Sequence, residues 1–337
     1  MKRRTMILLA VSLLLVSGCA SNRARNVNVY TPAMTEAHTQ LVSNSPYVIA
    51  TASGDAKLAL PGTPAKIKDF VVGITPGNTD PCYPYSPAHN IYAYKITDPH
   101  TPGPKRKAVI ITGNHNTETS GSWAFQGMVD FILSNEPEAV RLRQMCDFWV
   151  YPLVNPDGRF TAKGRGNPEI CRLHKQGLFP EGTRYNDHNR LWHLAHPKPC
   201  GASTIDVLTA AMLRDSDAGS TGGIDYYFDF HGSGSTFFYT VPELMDCPYI
   251  QAFAALDVGV GLRARTAEQA TLGSSRIWAR LPVPWGLGAK WSFTPENDRK
   301  HSVSYFLRLG RSYGIALHNT IVAESAESSV LKTGTDR

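Results

Sequence analysis

The apolar run Ala108-Val109-Ile110-Ile111 leads through Thr112 directly into Gly113-Asn114-His115-Asn116-Thr117-Glu118. A short, fully apolar run without polar alternation reads as a strand covered on both faces, as in the middle of a sheet. Gly113 breaks it, and a histidine and a glutamate follow three residues apart. A helical pattern comes next, with Ala124, Met128, Phe131 and Ile132 on one face. This strand–turn–helix unit constrains the chain toward a layered α/β architecture. It also delivers an imidazole and a carboxylate to one tight turn, from which both can reach one metal ion. His-x-x-Glu alone is a weak signal, since a surface pair in a polar loop satisfies it equally.

The rest of the chain repeats the alternation. Phe70–Ile74 and Asn90–Ile96 read as strands upstream, and a turn-rich stretch separates them. A second short helix, Glu138–Gln144, leads into the strand Phe148–Tyr151, and a helical crossover favours parallel pairing. Residues 155–200 carry few apolar runs, and so long a loop in a compact domain is usually functional. Ile205–Leu213 reads as a helix, Ile224–Phe230 as a strand ending at His231-Gly232, and Gln251–Val260 as a helix. Trp291–Thr294 reads as a strand ending near Pro295-Glu296, and Val303–Thr320 as a closing helix despite Gly310 and Gly314. The expected fold is α/β, with a mixed, largely parallel central sheet flanked by helices. His115, Asn155, His231 and Glu296 each follow a strand. Ligands of such sheets gather at the carboxyl ends of the strands, and the metal site is expected there.

Five segments in order carry a family resemblance: Gly113 to Gly121, Tyr151-Pro152-Leu153-Val154-Asn155-Pro156-Asp157-Gly158, Asp187-His188-Asn189-Arg190, Asp229-Phe230-His231-Gly232 and Thr294-Pro295-Glu296. Together they resemble the zinc metallocarboxypeptidase superfamily, the funnelins, and their relatives in the succinylglutamate desuccinylase and aspartoacylase group. The resemblance implies one zinc ion per chain, held by His115, Glu118 and His231 with a fourth position open to water. It implies Glu296 as general base, with Asp298 as the fallback. Arg165 is implied as the oxyanion stabiliser, with Arg159 and Arg172 as competitors because the loop is longer here. Asn189 and Arg190 match the pair that grips a substrate carboxylate, a task suited to the planar guanidinium. Asp187 matches the carboxylate that orients a zinc-bound histidine. His188, His193 and His196 are read as histidines at the cleft rim. One departure is visible: family carboxypeptidases carry a closing tyrosine about two dozen residues before the catalytic glutamate. This chain has no tyrosine between Tyr249 and Tyr305. The stretch with Arg276, Trp278, Arg280 and Trp285 stands in its place.

At the N-terminus, Lys2, Arg3 and Arg4 precede an apolar stretch, Met6–Val16, too short for a comfortable membrane span. Leu15-Val16-Ser17-Gly18-Cys19 resembles the lipobox of bacterial lipoproteins. The resemblance implies cleavage before Cys19, lipid on its sulfur and a membrane-held protein of the bacterial envelope. Ala20, where an aspartate commonly favours the inner membrane, points to the outer one. The expected divisions are a signal peptide (1–18), a lipid-anchored tether and irregular segment with a short helix over Thr35–Val42 (19–65), a catalytic domain (66–324) and a frayed polar tail (325–337). The net charge of +6 falls to about +3 without the three basic leader residues, and no Lys/Arg block suggests a nucleic-acid partner. Cys82, Cys146, Cys171, Cys200 and Cys247 remain besides Cys19; an envelope location permits disulfides, and Cys171–Cys200 is the expected pair.

Three functions fit these readings. One is a zinc exopeptidase or amidase acting on peptides, including cell-wall peptides. Another is an N-acyl amino acid deacylase. The third is a non-catalytic binding lipoprotein on the same fold.

Overall fold

The computed structural model describes residues 29–79, 81, 83–177, 187–192, 203–240, 242–244, 246–256, 258, 264–266 and 274–333. The leader with Cys19, the expected partner Cys200, and His193 and His196 lie outside these residues.

The strands are β1 (Val48–Ala50), β2 (Val71–Ile74), β3 (Asn90–Tyr92), β4 (Tyr94–Ile96), β5 (Arg106–Thr112), β6 (Cys146–Tyr151), β7 (Tyr226–Gly232), β8 (Phe237–Thr240), β9 (Ala264–Thr266) and β10 (Trp291–Asn297). Eight of them form one sheet in the order β1-β4-β6-β5-β7-β10-β8-β9, and β2 pairs with β3 separately. The centre, β6-β5-β7-β10, is parallel. Antiparallel pairs extend it, β4 and β1 on one side and β8 on the other.

The lack of alternation in β5 follows from its place. Ala108 and Ile110 join Phe148 and Val150 in a core beneath the helices Thr119–Ile132 and Val303–Thr333. Val109 and Ile111 join Trp149 and Tyr151 in a second core beneath the helix Ser203–Asp215. Successive side chains point to opposite faces, and here both faces are covered. Gly310, which weakens a helix locally, sits where the two helices of the first core cross. A Cβ there would meet the Ala124 carbonyl, and one at Gly127 would meet the Leu307 carbonyl. The crossing needs bare backbone on both sides.

Four expectations about the elements are revised. The strand expected over Asn90–Ile96 divides at Ala93, whose N–H turns to the Phe70 carbonyl at 2.8 Å; β3 serves the small sheet and β4 the large one. The described part of the expected tether is built into the domain. Thr31 caps the helix Pro32–Val42 through Met34 N–H, and β1 pairs with β4. Tyr30, Val42 and Val48 are buried in the first core. The closing helix runs to Thr333, through most of the expected tail, and the helix near 250 spans only Pro248–Ala254.

Candidate active site

The parallel strands carry the site at their carboxyl ends. β5 ends at Thr112, and Gly113 (φ +87°) turns the chain into the loop that bears His115 and Glu118. Only glycine takes that φ freely. Neighbouring β7 brings His231 to the same end, and β10 pairs in register with it, Glu296 opposite His231.

The three expected ligands converge. His115, Glu118 and His231 are buried, and one donor atom from each lies within 4.8 Å of the others. His115 Nδ1 is 2.9 Å from Glu118 Oε1, and His231 Nδ1 is 2.6 Å from Glu118 Oε2. Both Nδ1 atoms thus face the carboxylate, while both Nε2 atoms face outward to acids. His115 Nε2 is 2.9 Å from Asp187 Oδ1, and His231 Nε2 is 2.9 Å from Asp229 Oδ2. Such carboxylate–histidine pairs hold the proton on Nε2 and leave the Nδ1 lone pair for a metal. Burial alone would push both imidazoles down, but the acids more than offset it and hold them above their ordinary range. Three carboxylates around two imidazoles call for a cation, and the donor set of two nitrogens and a carboxylate fits zinc.

Glu296 lines the same cavity, of about 630 Å³, with Arg165, Asn189, Arg190, Tyr239 and Arg276. Its Oε2 is buried with no hydrogen-bond partner among the described residues. Burial pushes its carboxyl up to about 7, against the pull of His231 and with the push of Glu118. Asp298, the fallback, is engaged elsewhere. It accepts from Lys300 N–H at 2.8 Å and Thr236 Oγ1 at 3.1 Å, and contacts His301. These partners offset its burial and hold its acid low.

Among the three candidate arginines, Arg165 reaches the metal turn, with Nη2 3.8 Å from Glu118 and Nε 3.3 Å from Asp187. Arg172 lies 4.0 Å from Glu169, away from the turn. Arg159 is buried behind the turn, on the His115 carbonyl. Asn189 Nδ2 is 3.3 Å from His231 Nε2, and its Oδ1 accepts from Ser275 N–H at 2.8 Å. Arg190 stands beside Asp187 at 3.9 Å. His188 corrects an expectation: it is fully buried rather than at the rim. Its Nδ1 is 2.9 Å from Asn114 Oδ1, and burial drives its pKa down to about 3.

Several site residues had no assigned role in the sequence. Asp229, behind His231, also accepts from Asn114 Nδ2 at 2.8 Å and Ser275 Oγ at 2.5 Å. A period of two puts Asp229 and His231 on one face of β7, and that signal was available. Arg276 enters the cavity from the helix Ser275–Arg280, whereas Trp278 is core and Trp285 is exposed. Tyr239 comes from β8, paired with β10, before the stretch in which a closing tyrosine was sought.

A profile described as zinc carboxypeptidase matches residues 88–321, which include every residue of this site. The chain belongs to the zinc carboxypeptidase family. Among similar proteins, cytosolic carboxypeptidase 2 of Xenopus tropicalis is 46% identical over 148 residues, 43% of this chain and 13% of that protein. Cytosolic carboxypeptidase 2 of Danio rerio is 43% identical over 224 residues, 61% of this chain and 28% of that protein. The chain thus covers less than a third of either relative. Two solved structures share the fold. The metallo-carboxypeptidase from Burkholderia cenocepacia has a TM-score of 0.58 at 16% identity, over 87% of this chain and 70% of that one. The carboxypeptidase A from Helicoverpa armigera has 0.53 at 14%, over 94% and 81%. Zinc is the family's metal, and this chain has the donors to hold one ion.

Proposed function

We propose that the protein is a zinc-dependent carboxypeptidase that cleaves an amide bond next to a free carboxylate. The observation that carries this reading is the convergence of His115, Glu118 and His231 in one cavity with Glu296, Arg165, Asn189 and Arg190. Zinc, when bound, supplies a Lewis acid that polarises the scissile carbonyl and acidifies a water. Glu296, an acid poised near neutrality, collects the water's proton and hands it to the leaving amine. Arg165 offers fixed positive charge to the developing oxyanion. Asn189 and Arg190 hold the substrate's terminal carboxylate, Arg190 bidentately.

The cavity wall also supports a preference for acidic terminal residues. Arg276 is 2% exposed and its Nη1 has no hydrogen-bond partner among the described residues, while Arg299 and Lys300 line the same cavity. A buried guanidinium with an unused donor is a receptor for a carboxylate. The lipobox-like leader supports residence in the bacterial envelope, with a lipid on Cys19 and the outer membrane as the site of anchoring. That location would put cell-wall peptides within reach.

Metal content of the protein lacking residues 1–19, wild type against His115→Ala, is the first test. One zinc per chain, lost in the variant, is expected; no zinc in the wild type would sink the reading and leave a binding protein. Peptides with free C-termini and N-acyl amino acids, tested side by side, then separate a carboxypeptidase from a deacylase. Turnover of the acyl compounds alone would select the deacylase.

A further inference from the structure

Arg159 is 4% exposed and lies in the short helix Pro156–Thr161. Among the described residues no carboxylate lies within ion-pairing distance of it. Its guanidinium spends two donors on main-chain carbonyls from distant parts of the chain. Nη1 donates to Tyr30 O at 3.3 Å and Nη2 to His115 O at 3.2 Å. Burying a guanidinium without an acid is expensive, and packing alone would be served better by an apolar residue.

What the contacts join is specific. The His115 carbonyl belongs to a metal ligand whose ring is fixed separately by Asp187. The turn that carries it starts at Gly113, and a Cβ there would sit 3.6 Å from Arg159 Nη2, so the guanidinium lies directly under the turn. Tyr30 is held on its own account. Its ring meets Trp123 edge-on at 4.9 Å, and the helix it introduces is tied to the helix Thr119–Ile132 by His38 and Asp130 at 3.0 Å. Both anchors of this N-terminal segment fall on the helix that follows Glu118.

We propose that Arg159 is a positioning residue of the metal centre, locking the His115 main chain to Tyr30 so that residues 29–42 form the back wall of the metal turn. Asp187 sets the rotation of the His115 ring, and Arg159 sets where its Cα stands. The proposal rests on the zinc reading above. It makes the N-terminal segment part of the active-site scaffold.

The test is zinc affinity, measured by competition with a chromogenic chelator for wild type, Arg159→Gln and Arg159→Lys. Folding of each is checked by far-UV circular dichroism and by melting of the metal-free form. Arg159→Gln is expected to raise the zinc Kd roughly 10–100-fold, the range for partners of metal ligands. Arg159→Lys keeps the charge and one donor group and should fall between it and wild type. Arg172→Gln removes a charge away from the turn and should leave the Kd unchanged. Kd values within twofold of wild type in both Arg159 variants overturn the proposal. Should Arg159→Gln not fold, Arg159→Lys decides alone, a rise beyond twofold supporting the proposal and a smaller one overturning it. A wild type that binds no zinc defeats the zinc reading instead, and the two failures are distinguishable.

Discussion

At the metal end of the cleft, His115 and His231 have both ring nitrogens engaged, and Asp187 and Asp229 stand behind them at 2.9 Å. At the proposed substrate end, Arg276 is as deeply buried, yet among the described residues its Nη1 has no hydrogen-bond partner, and Glu296 Oε2 is likewise unmet. Both regions bury charge. In the first the chain supplies the counter-charges around a place for one cation. In the second it leaves a donor and an acceptor that a bound substrate would complement. Buried polar groups without partners are costly, and such a cost persists where a ligand relieves it. Asp187 Oδ2 and Asp229 Oδ1 also lack hydrogen-bond partners among the described residues, so the contrast lies in charge pairing: one part of the cleft balances acids against a place for a cation, and the other leaves a guanidinium and a carboxyl to a molecule that comes and goes.

The sharpest way to break that division is at its border, Glu296. Glu296→Gln removes the proposed base and leaves the three candidate ligands in place. It should keep one zinc per chain and lower kcat by roughly 100- to 10,000-fold, the range for acid–base catalysis. Near-normal turnover with zinc retained would move the base elsewhere. Asp229→Asn attacks the metal side instead. It keeps the shape but offers His231 Nε2 a weaker acceptor, so zinc affinity should drop about 10–100-fold as for other such partners. Unchanged affinity in a chelator competition would mean that Asp229 serves folding only.

Arg276→Met tests the substrate side. A charge-assisted hydrogen bond contributes about 1.5–3 kcal/mol, so kcat/KM for a peptide ending in glutamate should fall about 10- to 100-fold. A peptide ending in alanine should be nearly unaffected, and zinc affinity should not change. An equal loss on both peptides would show that Arg276 shapes the cavity without reading charge.

How far the sequence reached follows the same border. His115, Glu118, His231 and Glu296 were legible because each stands at or just past the carboxyl end of a largely apolar strand, a local signal. Asp229 was legible from strand geometry, which puts it on the same face as His231 two residues on. Arg276 was visible only within the stretch that stands in place of the closing tyrosine, and Tyr239 not at all, since they arrive through the helix Ser275–Arg280 and the antiparallel return of β8, and neither carries a strand-end signature. Gly310 misleads locally for a related reason: its propensity argues against a helix, and only the crossing with Gly127 explains its presence. The N-terminal segment was not legible as part of the domain because its core contacts run through scattered residues, among them Tyr30, Val42 and Val48, in otherwise polar surroundings.

The mildest expected effect is the pH profile, and it tests whether the border residue works as a base. Burial raises the Glu296 carboxyl to about 7. A base must be ionised to act, so activity is present above the pKa and lost as pH falls through it. A bound cation beside Glu296 favours the carboxylate and so opposes burial, which places the acid limb of kcat/KM in the loaded enzyme below 7. Under that limb the rate should fall about tenfold per pH unit, the behaviour of a single essential base. The measurement is kcat/KM between about pH 5 and pH 8, with zinc content checked at each point so that metal loss is not mistaken for protonation. Arg276→Met should leave the limb in place on a neutral peptide, because it alters the substrate side alone. The residual activity of Glu296→Gln should lose it. A limb that survives in that variant would assign the titrating group to another residue and return Glu296 to the set of groups that only line the cavity.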